Sequence, residues 1–286
     1  MRHDVWRSAA CLVGVALPLA PSQASAQPRD SYAWHSAAPL SESLSVRFAP
    51  PPGFEREPLA PDSFSAWLRG LPLKAGRPPV RLYDGRLKNR QDVHAAVIDI
   101  DVGARDLQQC ADAVIRLRAE WLFATGRRAA ILFHATSGDA LPWPRWTAGE
   151  RPSVHGARIR WALRTAPDDS RASFRSYLDQ VFTYAGTLSL ERETVSVPVD
   201  QMRIGDVFVQ GGSPGHAVIV IDMARDAATG RRVFMLAQGY MPAQDIHVLR
   251  NPQRTPLDPW YPLDFGEQLV TPEWTFTRRN LRRFRD

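Results

Sequence analysis

The run His216-Ala217-Val218-Ile219-Val220-Ile221 is apolar at every position after the first, and no other stretch limits the possible folds as much. Side chains alternate along a strand, so Val218 and Val220 share one face while Ala217, Ile219 and Ile221 share the other. A strand that is apolar on both faces has to be covered on both. His216 opens this strand, on the Val218 face and at the rim of whatever core covers it. The runs "DVFVQ" and "RVFMLAQ" flank it, separated by the turn-forming stretches "GGSPG" and "DAATG". Three antiparallel strands are therefore predicted at about 206–210, 216–222 and 232–238. With the second turn centred near residue 227 or 228, His216 lies opposite a residue between 238 and 240. Gln238, the polar end of an apolar strand, is then a candidate neighbour for the imidazole.

Upstream, Leu107, Cys110, Ala111, Val114, Leu117 and Trp121 recur at three- and four-residue steps, which predicts a helix. Asp106 with Gln109 has the spacing of a capping box, and Gly126 supplies a stop. This assignment puts Cys110 in the first helical turn, where unpaired backbone N–H groups and the helix dipole favour a thiolate. A second helix is predicted over 171–184, with Phe174, Tyr177, Leu178 and Val181 as its apolar stripe. A short helix around "SFSAWLRG" is capped by Asp62 or Ser63 and ended by Gly70 and Pro72. Strands are expected within 94–103 and around "AAILFHAT" and "ARIRWAL", and "LPWPRW" (141–146) reads as an aromatic loop. The fold class is α+β, a nucleating helix packed on a small antiparallel sheet.

The N-terminal residues have Arg2 and Arg7, an apolar run from Ala9 to Ala20, and the small residues Ala24-Ser25-Ala26. They read as a signal peptide cut after Ala26, which places the mature protein in the periplasm or outside the cell. No later segment has the roughly 20 apolar residues of a membrane span. Residues 27–61, rich in Ser, Ala and Pro, read as an irregular leader, and 62–286 as a single α+β domain. Removing residues 1–26 shifts the net charge only from +6 to +5. Nearly all the positive charge is arginine, scattered except for the C-terminal "RRNLRRFRD", and it reads as a solvated surface, not a nucleic-acid interface. Cys11 leaves with the signal peptide, so Cys110 is the single remaining cysteine. An unpaired exported thiol is an inert core residue, a bridge between chains or a nucleophile.

A Cys at a helix start, a His on a strand and a polar group that orients the His form the set needed for thiol attack on a carbonyl. The segment "GDVFVQGGSPGHAVIVI" resembles the Gly-Asp and Gly-His strands of NlpC-type and CHAP-type papain-like cysteine hydrolases of bacterial cell walls. That resemblance implies a papain-like core with Cys110 as nucleophile, His216 as general base and Gln238 as the residue that orients the imidazole. Gln244, Asp245 and His247 are alternatives for the third role, and Gln108 or Gln109 for an oxyanion donor. More broadly, "DLQQCADAVIRLRAEW", "YAGTLSL" and "LAQGYMPAQDIHVL" resemble an uncharacterised exported bacterial domain family. Trp143, Trp146 and Tyr240 are candidate substrate-binding aromatics, suited to a sugar face or a peptide. His134, Asp139 and His155 match no metal-ligand spacing, so neither metal nor cofactor is expected. The sequence thus supports a hydrolase of cell-envelope peptide or amide bonds. It also supports a silent envelope protein that binds a glycan or peptide and uses Cys110 as packing. The oligomeric state is not legible.

Overall fold

The doubly apolar run at 216–221 lies inside the largest sheet and continues to Asp226, and every residue from His216 to Ala224 is buried. The computed structural model describes residues 1, 32–34, 42–253 and 256–285. Apart from Met1, the expected signal peptide lies outside the described residues. In chain order the helices are α1 (Leu44–Arg47), α2 (Phe64–Arg69), α3 (Cys110–Ala124), α4 (Trp143–Thr147), α5 (Arg171–Tyr184) and α6 (Thr187–Glu193). The strands are β1 (Phe54–Glu55), β2 (His94–Val97), β3 (Leu132–His134), β4 (Ala140–Pro142), β5 (Glu150–His155), β6 (Arg158–Leu163), β7 (Thr194–Ser196), β8 (Val207–Gln210), β9 (His216–Asp226), β10 (Arg232–Gln238), β11 (His247–Leu249), β12 (Tyr261–Pro262), β13 (Gln268–Val270), β14 (Thr275–Thr277) and β15 (Leu281–Phe284).

The fold is α+β. Its main sheet runs β2-β11-β10-β9-β8-β15-β7, with β1 added to β9 and β12 to β10, nine strands in all. Its strand pairs are antiparallel. The sheet is larger than the hairpin signals implied, because β2 joins β11 and the C-terminal β15 joins β8. Those pairings link segments far apart in sequence, which leave no local signature. The register pairs Ala237 with Ile219. Gln238 therefore falls one step further along, on the His216 face.

α3 lies against β9 and β10. From Cys110 to Phe123, every residue except Arg118 is buried. The apolar stripe expected on one face is therefore only part of its buried surface, and the polar residues Asp112, Arg116 and Glu120 are inside as well. The cap also differs from expectation. Gln109 precedes the first helical residue, and its N–H donates to the Asp112 carboxylate at 3.1 Å. Asp106 instead accepts from the Gln109 amide and from the Ala243 N–H. The α2 cap is Ser63, whose hydroxyl accepts from Ala66 N at 3.1 Å, and α5 spans the expected residues behind Ser170.

The stretch expected to be an irregular leader joins the domain over 42–61. Leu44 is buried, β1 pairs with the far end of β9, and Arg56 Nε donates to Asp222 at 2.7 Å. Arg69 of α2 donates to the other oxygen of the same fully buried carboxylate at 2.8 Å. Asp222→Ala is expected to cost about 3 kcal/mol, since hydrogen bonds to charged groups contribute roughly 1.5–3 kcal/mol each. Urea unfolding of the variant checks this value, and a midpoint equal to wild type excludes a role for the Arg56–Asp222–Arg69 clamp.

The expected aromatic loop at 141–146 is instead β4 running into α4. Trp143 and Trp146 are buried and pack with Phe123, Phe174 and Tyr177. Trp146 Nε1 donates to Ser173 Oγ at 3.0 Å. These two indoles are core residues and not a binding surface. They pack beside Phe123, which is about 20 Å along α3 from Cys110 at a rise of roughly 1.5 Å per residue. Pro144 near the start of α4 explains the local helix, since proline is tolerated in a first turn.

Candidate functional site

Two glycines set the close approaches that assemble the site. A Cβ on Gly215, the residue before His216, would lie 2.4 Å from Thr187 Oγ1 and 2.6 Å from Gly212 O. A Cβ on Gly239 would lie 2.9 Å from Gln109 O and 3.0 Å from Ala113 Cβ. The chain therefore enters β9 against α6, and the start of α3 rests directly on the end of β10. Cys110 follows Gln109 at that contact. The backbone N–H groups of Ala111 and Ala217 act on its sulfur, so the thiol lies beside the residue that follows His216.

The His216 Nε2 donates to Gln238 Oε1 at 2.8 Å. Gln238 Nε2 donates to Glu273 Oε2 at 2.7 Å and meets His247 Nε2 at 3.2 Å. Glu273 also takes Lys88 Nζ at 2.7 Å, and both of those side chains are largely buried. Lys88 Nζ sits 4.7 Å from the centre of the Tyr240 ring. The imidazole is walled by aromatics, with ring centroids at 4.9 Å for Tyr240, 5.4 Å for Trp274 and 5.9 Å for Phe276. Tyr240 and Trp274 are only half-buried and form the most exposed part of this wall.

A family model described as a domain of unknown function (4846), DUF4846, matches residues 44–283, a span that includes every residue of this cluster. The chain belongs to that family. No curated protein and no solved structure matches the chain. The family description carries no activity, so the chemistry of this DUF4846 domain is read from its own residues.

Burial pushes the Cys110 thiol up to about 11, and the Asp112 carboxylate adds to the push. The neighbouring backbone N–H groups offset only part of it. Asp112 is itself raised to about 8 by burial, so it carries its full charge only in the alkaline range where the thiol titrates. Burial lowers His216 to about 4 against the favourable Gln238 bond, with the Lys88 charge adding to the fall. At rest, therefore, the Cys110 thiol and the His216 imidazole are both neutral.

The structure brings Cys110, His216, Gln238 and Tyr240 together and leaves Trp143 and Trp146 elsewhere. Of the alternatives to Gln238, Asp245 is engaged by Lys74 Nζ at 2.9 Å and Arg81 N at 2.8 Å. Gln244 is fully buried, and its side-chain amide has no hydrogen-bond partner among the described residues. His247 joins the network behind Gln238. His134 bonds to Glu193 at 3.1 Å, and Asp139 is held by Arg158, Ser137 and the Ile159 N–H. Among the described residues no helix is long and apolar enough to cross a membrane. Sequence reasoning missed Lys88, Glu273, Trp274 and Phe276. Lys88 carried a weak signal as one of only two lysines. Glu273 and Trp274 sit in "TPEW", a turn between β13 and β14 closed by Thr271 N donating to Trp274 O at 2.8 Å.

Proposed function

We propose that this protein is an exported cysteine hydrolase that acts on peptide or amide bonds of the cell envelope, on a papain-like core. The observation that carries this reading is the 2.8 Å bond from His216 Nε2 to Gln238 Oε1. It orients an imidazole beside the start of α3, whose first residue is Cys110. The order helix-Cys, strand-His, strand-Gln supports the papain-like core, and the N-terminal signal pattern supports a periplasmic or secreted location.

In this mechanism His216 Nδ1 takes the thiol proton as the sulfur attacks the substrate carbonyl carbon. The S–C bond forms while the carbonyl π pair moves to oxygen. Backbone N–H groups at the start of α3 face the developing oxyanion, and Gln108 supplies a spare donor. Its Oε1 is held by Arg116 at 2.8 Å, whereas its buried Nε2 has no partner among the described residues. His216 then returns the proton to the leaving amine, the C–N bond breaks, and water hydrolyses the acyl-thioester. Because the resting pair is neutral, proton transfer belongs to the attack step and does not precede it. Tyr240 and Trp274 form the rim past which the substrate chain enters.

The buried thiol favours a second reading, a silent envelope protein that binds a glycan or peptide at the Tyr240–Trp274 rim. The two readings differ in turnover. A cell-wall peptide amide is expected to be cleaved and to leave an acyl group on Cys110 detectable by mass spectrometry. Binding without acylation overturns the hydrolase. The electrostatics are checked separately by alkylation. Labelling of native Cys110 by iodoacetamide is expected to be slow at pH 7 and to rise until about pH 11. A labelling profile that levels off below about pH 8.5, the ordinary thiol value, excludes the neutral resting pair.

A further inference from the structure

The amide of Gln238 can serve His216 in only one orientation, because its other end is committed twice. Glu273 Oε2, at 2.7 Å, is a carboxylate oxygen tied through its partner oxygen to Lys88, so it accepts and requires the amide nitrogen opposite it. His247 makes the same demand. Its Nδ1 lies 2.9 Å from the Asp245 carbonyl oxygen and has to carry the hydrogen there, which leaves Nε2 bare and able only to accept from Gln238 Nε2 at 3.2 Å. Both hydrogens of the amide nitrogen are thereby used, and the amide oxygen is turned toward His216. A carbonyl oxygen only accepts, so His216 has to hold its proton on Nε2 and keep Nδ1 bare.

We propose that Glu273, seated by Lys88, acts with His247 as a pair of positioning residues that lock the Gln238 amide and through it the His216 tautomer. The role rests on the hydrolase reading in one respect, that the bare Nδ1 is the proton acceptor in the attack. Neither residue touches the reacting atoms. Each acts through Gln238, and the turn between β13 and β14 brings Glu273 to a site otherwise built from β9, β10 and α3. A free Gln238 amide would present its nitrogen to His216 part of the time. His216 would then carry its proton on Nδ1 and lose its basic face.

The test is nitrogen NMR of the full-length protein labelled with 15N-histidine at neutral pH. The chain has seven histidines, and the variants His216→Asn and His247→Asn assign their signals by loss. In wild type, His216 is expected to be protonated at Nε2 alone and His247 at Nδ1 alone, and this measurement needs no substitution in the network. In the double variant Lys88→Met with Glu273→Leu, which removes both buried charges together, a second His216 tautomer is expected to appear. In that variant kcat is expected to fall in proportion to the lost Nε2–H population, with KM unchanged. A wild-type His216 protonated at Nδ1 overturns the lock, and a double variant whose tautomer stays single overturns the part assigned to Glu273 and Lys88 and leaves His247 as the sole positioning residue. If the tautomers behave as expected and no amide is cleaved by wild type, the hydrolase reading fails while the lock stands.

Discussion

Cys110→Ala and His216→Ala are each expected to remove hydrolysis of a cell-wall amide, by about 10³-fold or more, while the fold is retained. The magnitude follows from the loss of covalent chemistry in one case and of the general base in the other, since members of one catalytic unit fail together. Combining the two substitutions is expected to cost no more than either alone. Retention of the fold is expected because Cys110→Ala removes one sulfur atom at the start of α3, and alanine is the best helix former. His216→Ala removes a ring bonded to Gln238 from the rim of β9 and leaves the sheet hydrogen bonds in place. Product release from a peptidoglycan fragment measures turnover, and circular dichroism verifies the fold. Full activity in Cys110→Ala excludes this thiol as the nucleophile.

Glu120→Ala is expected to be the most damaging single change to stability, about 3–5 kcal/mol, because it strands a buried charge. Glu120 is 1% exposed and accepts from Arg116 Nε at 2.7 Å and from both terminal nitrogens of Arg171 at 2.5 Å. Arg116 is fully buried. Without Glu120 it keeps only Gln108, the Asp101 carbonyl and a more exposed Asp101 carboxylate. Desolvation of the guanidinium is then only partly offset, whereas removal of both buried charges leaves only Arg171, which is a third exposed, without its partner. The double variant Arg116→Met with Glu120→Leu is therefore expected to recover most of the loss. Urea midpoints of the two variants check the mechanism, and equal losses in both exclude it. The network also ties α5 to the segment that carries Gln108 and leads to Cys110, so loosening it is expected to blur the site before the sheet melts.

Much of this architecture was legible because local rules and tertiary demands agree. The run after His216 is apolar on both faces, so it had to be a covered strand, and β9 is one. The turns "GGSPG" and "DAATG" limit how β8, β9 and β10 can pair, which placed Gln238 on the His216 face within a residue or two. Ser170 and the stripe of Phe174, Tyr177, Leu178 and Val181 marked α5, because capping and periodicity both act within a few residues. Legibility ended where burial depends on a distant partner. Trp143 and Trp146 looked exposed beside their prolines, yet the rings of α5 cover them. Residues 42–61 looked irregular, yet Asp222, far along the chain, holds Arg56.

For the site, the sequence by itself determined the types and order of three groups, Cys110 at a helix start, His216 at a strand start and Gln238 at a strand end. Each is set by local periodicity and turn chemistry. Only the tertiary structure decided what surrounds them. Glu273 reaches Gln238 from 35 positions away and is seated by Lys88, 150 positions before Gln238, and Trp274 and Phe276 complete the wall around the imidazole. The protonation states were decided there too. A helix start on its own lowers a thiol, but packing α3 against the sheet removes the water that would solvate a thiolate, and here desolvation outweighs the backbone N–H groups.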